Sequence, residues 1–253
     1  MLKIILCGCC GRMGKAITEL VSRMDDTVIA AGIDPAGCGG LSYPVFSDLS
    51  GCTEKADVIV DFSHRSALLS ILEYSLATGT PAVLASTGYL PEDVAALEEA
   101  SKKVPIFRSA NMSIGIAILT KLVKSAAAAL GDDFDVEIIE KHHNKKLDAP
   151  SGTALHLAEA VKAGAVSPKT EVYDRHAVRR ERGKSEIGMH AVRGGTIIGE
   201  HEVLFAGWNE TISISHSAQS REVFASGALR AARFMAGIKT PGIYGMDDIF
   251  GGE

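Results

Sequence analysis

The sequence lacks an excess of positive charge. Its 26 Lys and Arg are outnumbered by 31 Asp and Glu, for a formal net charge of -5, which argues against general affinity for nucleic acid or an anionic membrane. No leader is expected either. The apolar stretch in MLKIILCGCCGRMGK reaches glycine within a few residues, too short for a signal-peptide core, and no later run is expected to approach a membrane span. A cytosolic location is expected. Cysteine is too sparse for a framework: five residues, an odd number, argue for reduced thiols rather than disulfide staples. Cys7, Cys9 and Cys10 cluster, but Cys38 and Cys52 supply no nearby further ligand, so small side chains around a tight turn are expected and no metal. Internal repeats and low-complexity linkers are missing too. What is there is 253 residues, 46% hydrophobic and 23% charged, enough for one large or two small domains with an ample core.

The first half alternates strand and helix patterns. LKIILC (2–7) reads as a buried strand, followed by a helix with Met13, Ile17, Leu20, Val21 and Met24 at helical spacing. Further strands are expected at 27–33, 56–62, 81–86 and 104–110. The intervening helices are punctuated by Gly79 as a stop and Pro91 as a first position. Such alternation implies a doubly wound parallel sheet with right-handed crossovers, a Rossmann-like α/β fold. Ligands then bind at the carboxyl ends of the strands. There the sequence offers Gly8 to Gly14, Asp34, Phe62-Ser63-His64, Ala85-Ser86-Thr87-Gly88 and Ser109-Ala110-Asn111-Met112. In GCCGRMG, Cys9 takes the place of the first glycine of a G-x-G-x-x-G fingerprint, with Gly8 one residue earlier and Gly11 and Gly14 retained. Asp34, twenty positions after Gly14, stands where an acid accepts hydrogen bonds from an adenosine ribose. Together these predict a nicotinamide dinucleotide.

The second half changes character. A long apolar helix is expected over 113–130, a half-buried strand over 134–141 and a helix after Ser151. An Arg-rich stretch, 175–193, is a solvated face or a set of contacts to an anionic substrate. Strand patterns joined by glycine turns follow to about 218, predicting an α+β domain with a mixed or antiparallel sheet. A final helix precedes Pro241.

Between them lies EKHHNKKLDAPSGTA (140–154). Pro150 and Ser151 set up a helix N-terminus whose amides at Gly152 and Thr153 suit a carboxylate. His142 and His143, as strand neighbours, should face opposite sides, and one metal could not easily take both. Acid–base chemistry remains: His142 and Lys146 beside an anion site, serving a hydride transfer that needs a proton.

The whole chain resembles the 4-hydroxy-tetrahydrodipicolinate reductase (dihydrodipicolinate reductase) family, through GCCGRMG, VDFS, STGY, SANMSIG, EIIEKHHNKKLDAPSGTA, MHAVRGGTIIGEHEVLF and HSAQSREVFASGALRAA. The resemblance implies NAD(P)H-dependent reduction of a cyclic dicarboxylate after loss of a hydroxyl, in lysine and diaminopimelate biosynthesis. It implies His142 as proton donor and acceptor, Lys146 as a proton donor, and His143, Lys146, Gly152 and Thr153 as substrate-carboxylate contacts. Gly8, Cys9, Cys10, Gly11, Arg12, Met13, Asp34, Ala85, Ser86, Thr87, Ser109, Ala110, Asn111 and Met112 resemble the dinucleotide contacts. A homotetramer is implied, as are a dinucleotide-binding domain of 1–112 with 220–253 and a substrate-binding and oligomerisation domain of 113–219. Pro35 stands where some relatives carry a basic residue, so NADH is expected to be preferred over NADPH. Ala85 replaces a glycine of many relatives and narrows the approach to the nicotinamide. The alternatives are a dinucleotide-binding regulator without turnover, which should lack His142 and Lys146, and a semialdehyde dehydrogenase. The latter needs a nucleophilic cysteine in the second half, whereas all five cysteines lie at or before position 52.

Overall fold

A computed structural model describes residues 1–177 and 179–251; Val178, inside the Arg-rich stretch, and Gly252 and Glu253, at the end of the C-terminal segment, lie outside the described residues. The chain forms two compact units, Met1–Ser113 with Arg221–Glu253, and Ile114–Ser220.

The elements run β1 (Leu2–Cys7), α1 (Arg12–Val21), β2 (Thr27–Ile33), β3 (Val45–Phe46), β4 (Val58–Asp61), α2 (Leu68–Thr78), β5 (Ala82–Leu84), α3 (Pro91–Ser101) and β6 (Pro105–Arg108). The second unit follows with α4 (Ile114–Leu130), β7 (Asp135–His142), α5 (Gly152–Gly164), β8 (Thr170–Val172), β9 (Glu186–Arg193), β10 (Gly199–Gly207) and β11 (Glu210–Ala218). The chain then adds α6 (Glu222–Gly237) and β12 (Gly242–Tyr244) to the first unit.

In the first unit seven strands lie in the order β12-β6-β5-β4-β1-β2-β3, all parallel. Side chains alternate across the pleat. Ile4 and Leu6 of β1 enter one core with Ile17 of α1 and Leu229 and Met235 of α6, while Ile5 and Cys7 enter another with Leu72 of α2 and Leu97 of α3. Helices therefore cover both faces, and the expected doubly wound sheet is present. The helix α6 approaches so closely that a Cβ at Gly227 would lie 1.7 Å from the Met112 carbonyl oxygen. Gly79 ends α2 in the left-handed conformation, and Pro91 opens α3.

The second unit is a mixed sheet in the order β11-β10-β7-β9-β8, with β10 antiparallel to β7 and β11 and the other pairs parallel. Val136 and Ile138 of β7 pack with Leu157 and Val161 of α5 and with Leu119 and Val123 of α4. One expectation is corrected here. Ile114–Asp133, 20 residues of mean hydropathy 1.6, is long and apolar enough by length and composition to cross a membrane. In this fold its buried stripe (Ile116, Leu119, Val123, Ala127) joins the core of the unit.

The cysteines bring a second correction. Cys38, expected to lie apart, is disulfide-bonded to Cys10, and the sulfurs of Cys9, Cys10 and Cys38 lie within 4.8 Å of one another. Adjacent parallel strands β1 and β2 end side by side, so the loops that leave them meet even though the two cysteines are 28 residues apart. Cys7, Cys9 and Cys52 are free thiols.

Candidate active site

The carboxyl ends of β1, β2, β4 and β5 present the first group of candidate residues. The turn after β1 is tight because backbone passes backbone: a Cβ on Gly8 would lie 2.8 Å from the Phe62 carbonyl oxygen, and one on Gly14 would lie 2.3 Å from the Gly8 oxygen. Gly8 has φ +77, open to glycine at little cost. Its N–H donates to Ile33 O at 2.8 Å and its own carbonyl accepts from Gly11 N–H at 3.1 Å. The helix α1 then starts at Arg12 with no side-chain cap and no carboxylate in its first turn, leaving its amides and dipole for an anion. Asp34 lies against the turn. Its Oδ2 accepts from Cys10 N–H at 3.1 Å and its Oδ1 from Ala36 N–H at 3.1 Å. Arg12 is exposed and Met13 half-buried, whereas the side chains of Cys9 and Met112 are buried in the core, so those two positions offer only backbone.

The loop after β5 is tied inward. Ser86 Oγ donates to Asp61 Oδ2 at 2.7 Å, and Ser63 donates to Asp61 Oδ1 through both its N–H, at 3.0 Å, and its hydroxyl. Burial raises the Asp61 carboxyl above its ordinary value despite these donors. After β6, Ser109 Oγ donates to Asn111 O at 2.7 Å, and Asn111 Oδ1 accepts from Ser113 N–H at 2.9 Å.

In the second unit β7 carries the other group. It alternates strictly, with Val136, Ile138, Glu140 and His142 buried. A carboxylate and a histidine therefore continue an apolar face. Glu140 is fully buried. Its Oε2 shares a hydrogen bond with His142 Nδ1 at 2.6 Å, and its Oε1 accepts from Ser151 N–H at 3.0 Å. Arg193 grips both oxygens at 2.8 and 2.7 Å, the fork geometry suited to a carboxylate. Burial opposes the Glu140 charge, but Arg193, His142 and the Ser151 amide outweigh it and hold the carboxyl below its ordinary value. On the next strand His201 pairs opposite Glu140. Its ring meets His142 edge-on with centroids 5.1 Å apart, and its Nε2 hydrogen-bonds Ser151 Oγ at 3.0 Å. Burial, with His142 next in weight, lowers the His201 pKa to about 4. Gly199 leaves room for the catalytic candidate: a Cβ there would lie 3.1 Å from His142 Nε2.

His143 lies just past the strand end, and its carbonyl accepts from Lys146 N–H at 3.1 Å, folding Lys146 back in a turn. Lys146 Nζ pairs with Asp148 at 2.9 Å, and that lysine holds the Asp148 carboxyl below its ordinary value. Ser151 caps α5, its Oγ accepting from Ala154 N–H at 3.1 Å, and the space beside Gly152 is open. In this group the buried His143 Nδ1, His201 Nδ1 and Arg193 Nε have no hydrogen-bond partner among the described residues. The Arg-rich stretch is mostly internal bracing. Arg175 and Arg180 pair with Glu186, and Arg182 pairs with Asp135 and Glu137.

Sequence reasoning missed Glu140, Arg193 and His201. The period of β7 was the available signal, since it places Glu140 in phase with Val136 and Ile138.

A glycine turn, open helix start and strand-end acid on one unit, with a buried carboxylate–histidine pair and a turn-borne lysine on the other, define an NAD(P)H-dependent oxidoreductase. Comparison with known proteins gives the family. Residues 2–112 match the model of the dihydrodipicolinate reductase N-terminus, and residues 115–250 match that of its C-terminus. The 4-hydroxy-tetrahydrodipicolinate reductase of Caldanaerobacter subterraneus subsp. tengcongensis is 50% identical over 98% of each chain, and that of Geobacter sulfurreducens 42% identical over 99% of each. A dipicolinate-bound dihydrodipicolinate reductase from a Paenisporosarcina species superposes with a TM-score of 0.82 at 26% identity, over 98% of this chain and 99% of that one. This chain belongs to the dihydrodipicolinate reductase family.

Proposed function

We propose that the chain reduces the dehydrated form of 4-hydroxy-tetrahydrodipicolinate to tetrahydrodipicolinate, in lysine and diaminopimelate biosynthesis, with His142 and Lys146 as its proton-handling groups. The observation that carries this reading is the double engagement of Glu140, which orients His142 through one oxygen and anchors the start of α5 through the other. One carboxylate thus ties the acid–base residue to the anion-binding helix start. His143, Gly152 and Thr153 hold a substrate carboxylate, and Lys146 neutralises it and delivers a proton. The Paenisporosarcina relative's complex with dipicolinate, a planar cyclic dicarboxylate, supports that substrate class.

The first unit fits a dinucleotide, because its glycine turn is too tight for a Cβ at Gly8 or Gly14 and leads into a helix start that carries neither a side-chain cap nor an acid. Gly8 to Met13 take the pyrophosphate and Asp34 the ribose. Ala85 to Thr87 and Ser109 to Met112 line the nicotinamide end. The bound nicotinamide supplies hydride. The protein's own contribution is to orient the dicarboxylate and to protonate the atom that gains the electron pair. With Pro35 and Ala36 beside Asp34 and no cation in that turn, NADH is preferred over NADPH, and no metal takes part. The resemblance and the exposed Val192, Trp208 and Ile212 of the second unit support its role in substrate binding and in assembly of a homotetramer in the cytoplasm. No observation favours a regulator without turnover. Calorimetric titration with dipicolinate tests the site: wild type should bind, and a variant carrying both His143→Ala and Lys146→Ala should lose at least about tenfold in affinity. Unchanged affinity contradicts the placement.

A further inference from the structure

The Cys10–Cys38 pair has no part in the reaction above. Cys10 belongs to the glycine turn, and Cys38 closes the loop that leaves β2. Both residues are half-buried, whereas Cys9 beside them is fully buried. Cys9 Sγ is 3.8 Å from Cys10 Sγ. Burial and the Asp34 charge raise its thiol above the ordinary value, so Cys9 stays protonated and does not attack the bridge.

The bridge spans the ribose acceptor. Residue 34 sends one carboxylate oxygen to the Cys10 amide and the other to the Ala36 amide. Its carbonyl accepts from Gly37 N–H at 3.0 Å. Residues 34–38 thus form a closed turn whose far end is bonded back to the glycine turn. Further along, Leu41 and Tyr43 pack on the core and Tyr43 hydrogen-bonds Thr18 at 2.7 Å, whereas nothing lies within 4 Å of a Cβ at Gly37, Gly39 or Gly40. While the bridge is intact, both Asp34 oxygens stay turned to protein amides. Once it opens, the mostly exposed turn of residues 35–40 loses its covalent tie to the glycine turn beside Asp34.

We propose that Cys10 and Cys38 form a thiol–disulfide site that sets dinucleotide affinity, the bridged form binding NADH more weakly than the dithiol form. The proposal rests on the reading of the glycine turn as the dinucleotide site. Opening needs an external dithiol. Its thiolate attacks one sulfur of the bridge, the other leaves as a thiolate and takes a proton, and the second external thiol resolves the mixed disulfide. Two electrons and two protons pass to the protein, and the reductant becomes a disulfide. Closure is the reverse exchange with a small-molecule disulfide. Such pairs in reducing compartments are commonly regulatory rather than structural.

The test uses the full chain, oxidised with glutathione disulfide or reduced with dithiothreitol, and titrated with NADH by fluorescence. Peptide mapping of the oxidised chain should recover a Cys10–Cys38 cross-link. Reduction should lower the Kd for NADH about fivefold, the worth of roughly one hydrogen bond, and Cys38→Ser should show the low Kd under both conditions. Equal affinity in the two forms, tighter binding by the bridged form, or absence of the cross-link after oxidation overturns the proposal while leaving the dinucleotide reading intact. Failure of every form to bind NADH or NADPH overturns both.

Discussion

Glu140 Oε2 lies 2.6 Å from His142 Nδ1, with both side chains buried on the inward face of one strand. A buried carboxylate fixes the orientation of an imidazole and leaves its far nitrogen for chemistry. Glu140 is therefore a positioning residue. Glu140→Gln should lower kcat by about tenfold or more, with a smaller change in KM. Glu140→Ala should in addition cost about 3 kcal/mol of stability, because Arg193 loses its buried partner. A kcat within twofold of wild type in the Gln variant would contradict the role.

His142→Gln and Lys146→Ala should each lower kcat by roughly 100-fold or more. Steady-state rates on the folded variants measure this, and near-normal turnover in both removes them from the proton path.

His201 supplies a pH dependence of stability. Its folded pKa, about 4, is below the unfolded value of about 6.5. The unfolded chain therefore takes up a proton first as pH falls. Stability is complete above about pH 6.5 and declines down to about pH 4, by roughly 2–4 kcal/mol. Urea melts of the wild type across that window should show the decline, and His201→Gln should flatten it. A parallel decline in the variant assigns the effect elsewhere.

Cofactor choice follows from charge. Asp34 would repel a 2′-phosphate, and the Pro35-Ala36 turn offers no cation. The ratio of kcat/KM values should favour NADH, and a clear NADPH preference refutes the argument.

The glycine turn makes a steric prediction. Gly14→Ala brings a Cβ to 2.3 Å from the Gly8 oxygen and 2.6 Å from Cys9 backbone, so it should cost about 2 kcal/mol or more and weaken NADH binding. Gly39→Ala, with nothing within 4 Å, is the control. Equal melting temperatures for the two would show that the turn is looser than described.

Much of this was readable from local pattern. The strands at 2–7 and 27–33, the Gly79 stop and the Ser151 cap are written in a few adjacent residues each. The missed strands, β3, β8 and β12, are two or three residues long; they exist because a neighbouring edge pairs with them, not because of any alternation of their own. The pairing of Cys10 with Cys38 was hidden for a similar reason, since it depends on two parallel strands ending together. Glu140 is legible only in the phase of β7, which turns a carboxylate inward with Val136 and Ile138, whereas composition alone marks the adjacent histidines. Arg193 and His201 arrive from other strands, and spacing in sequence says nothing of their meeting at Glu140.

The central claim is turnover of one cyclic dicarboxylate. The direct measurement couples the purified chain to a synthase that makes its substrate from pyruvate and aspartate semialdehyde, and follows NADH oxidation. Oxidation that requires both the synthase and this chain, and that is lost with His142→Gln, is the predicted result. No oxidation of NADH or NADPH while the synthase consumes its substrates would contradict the account.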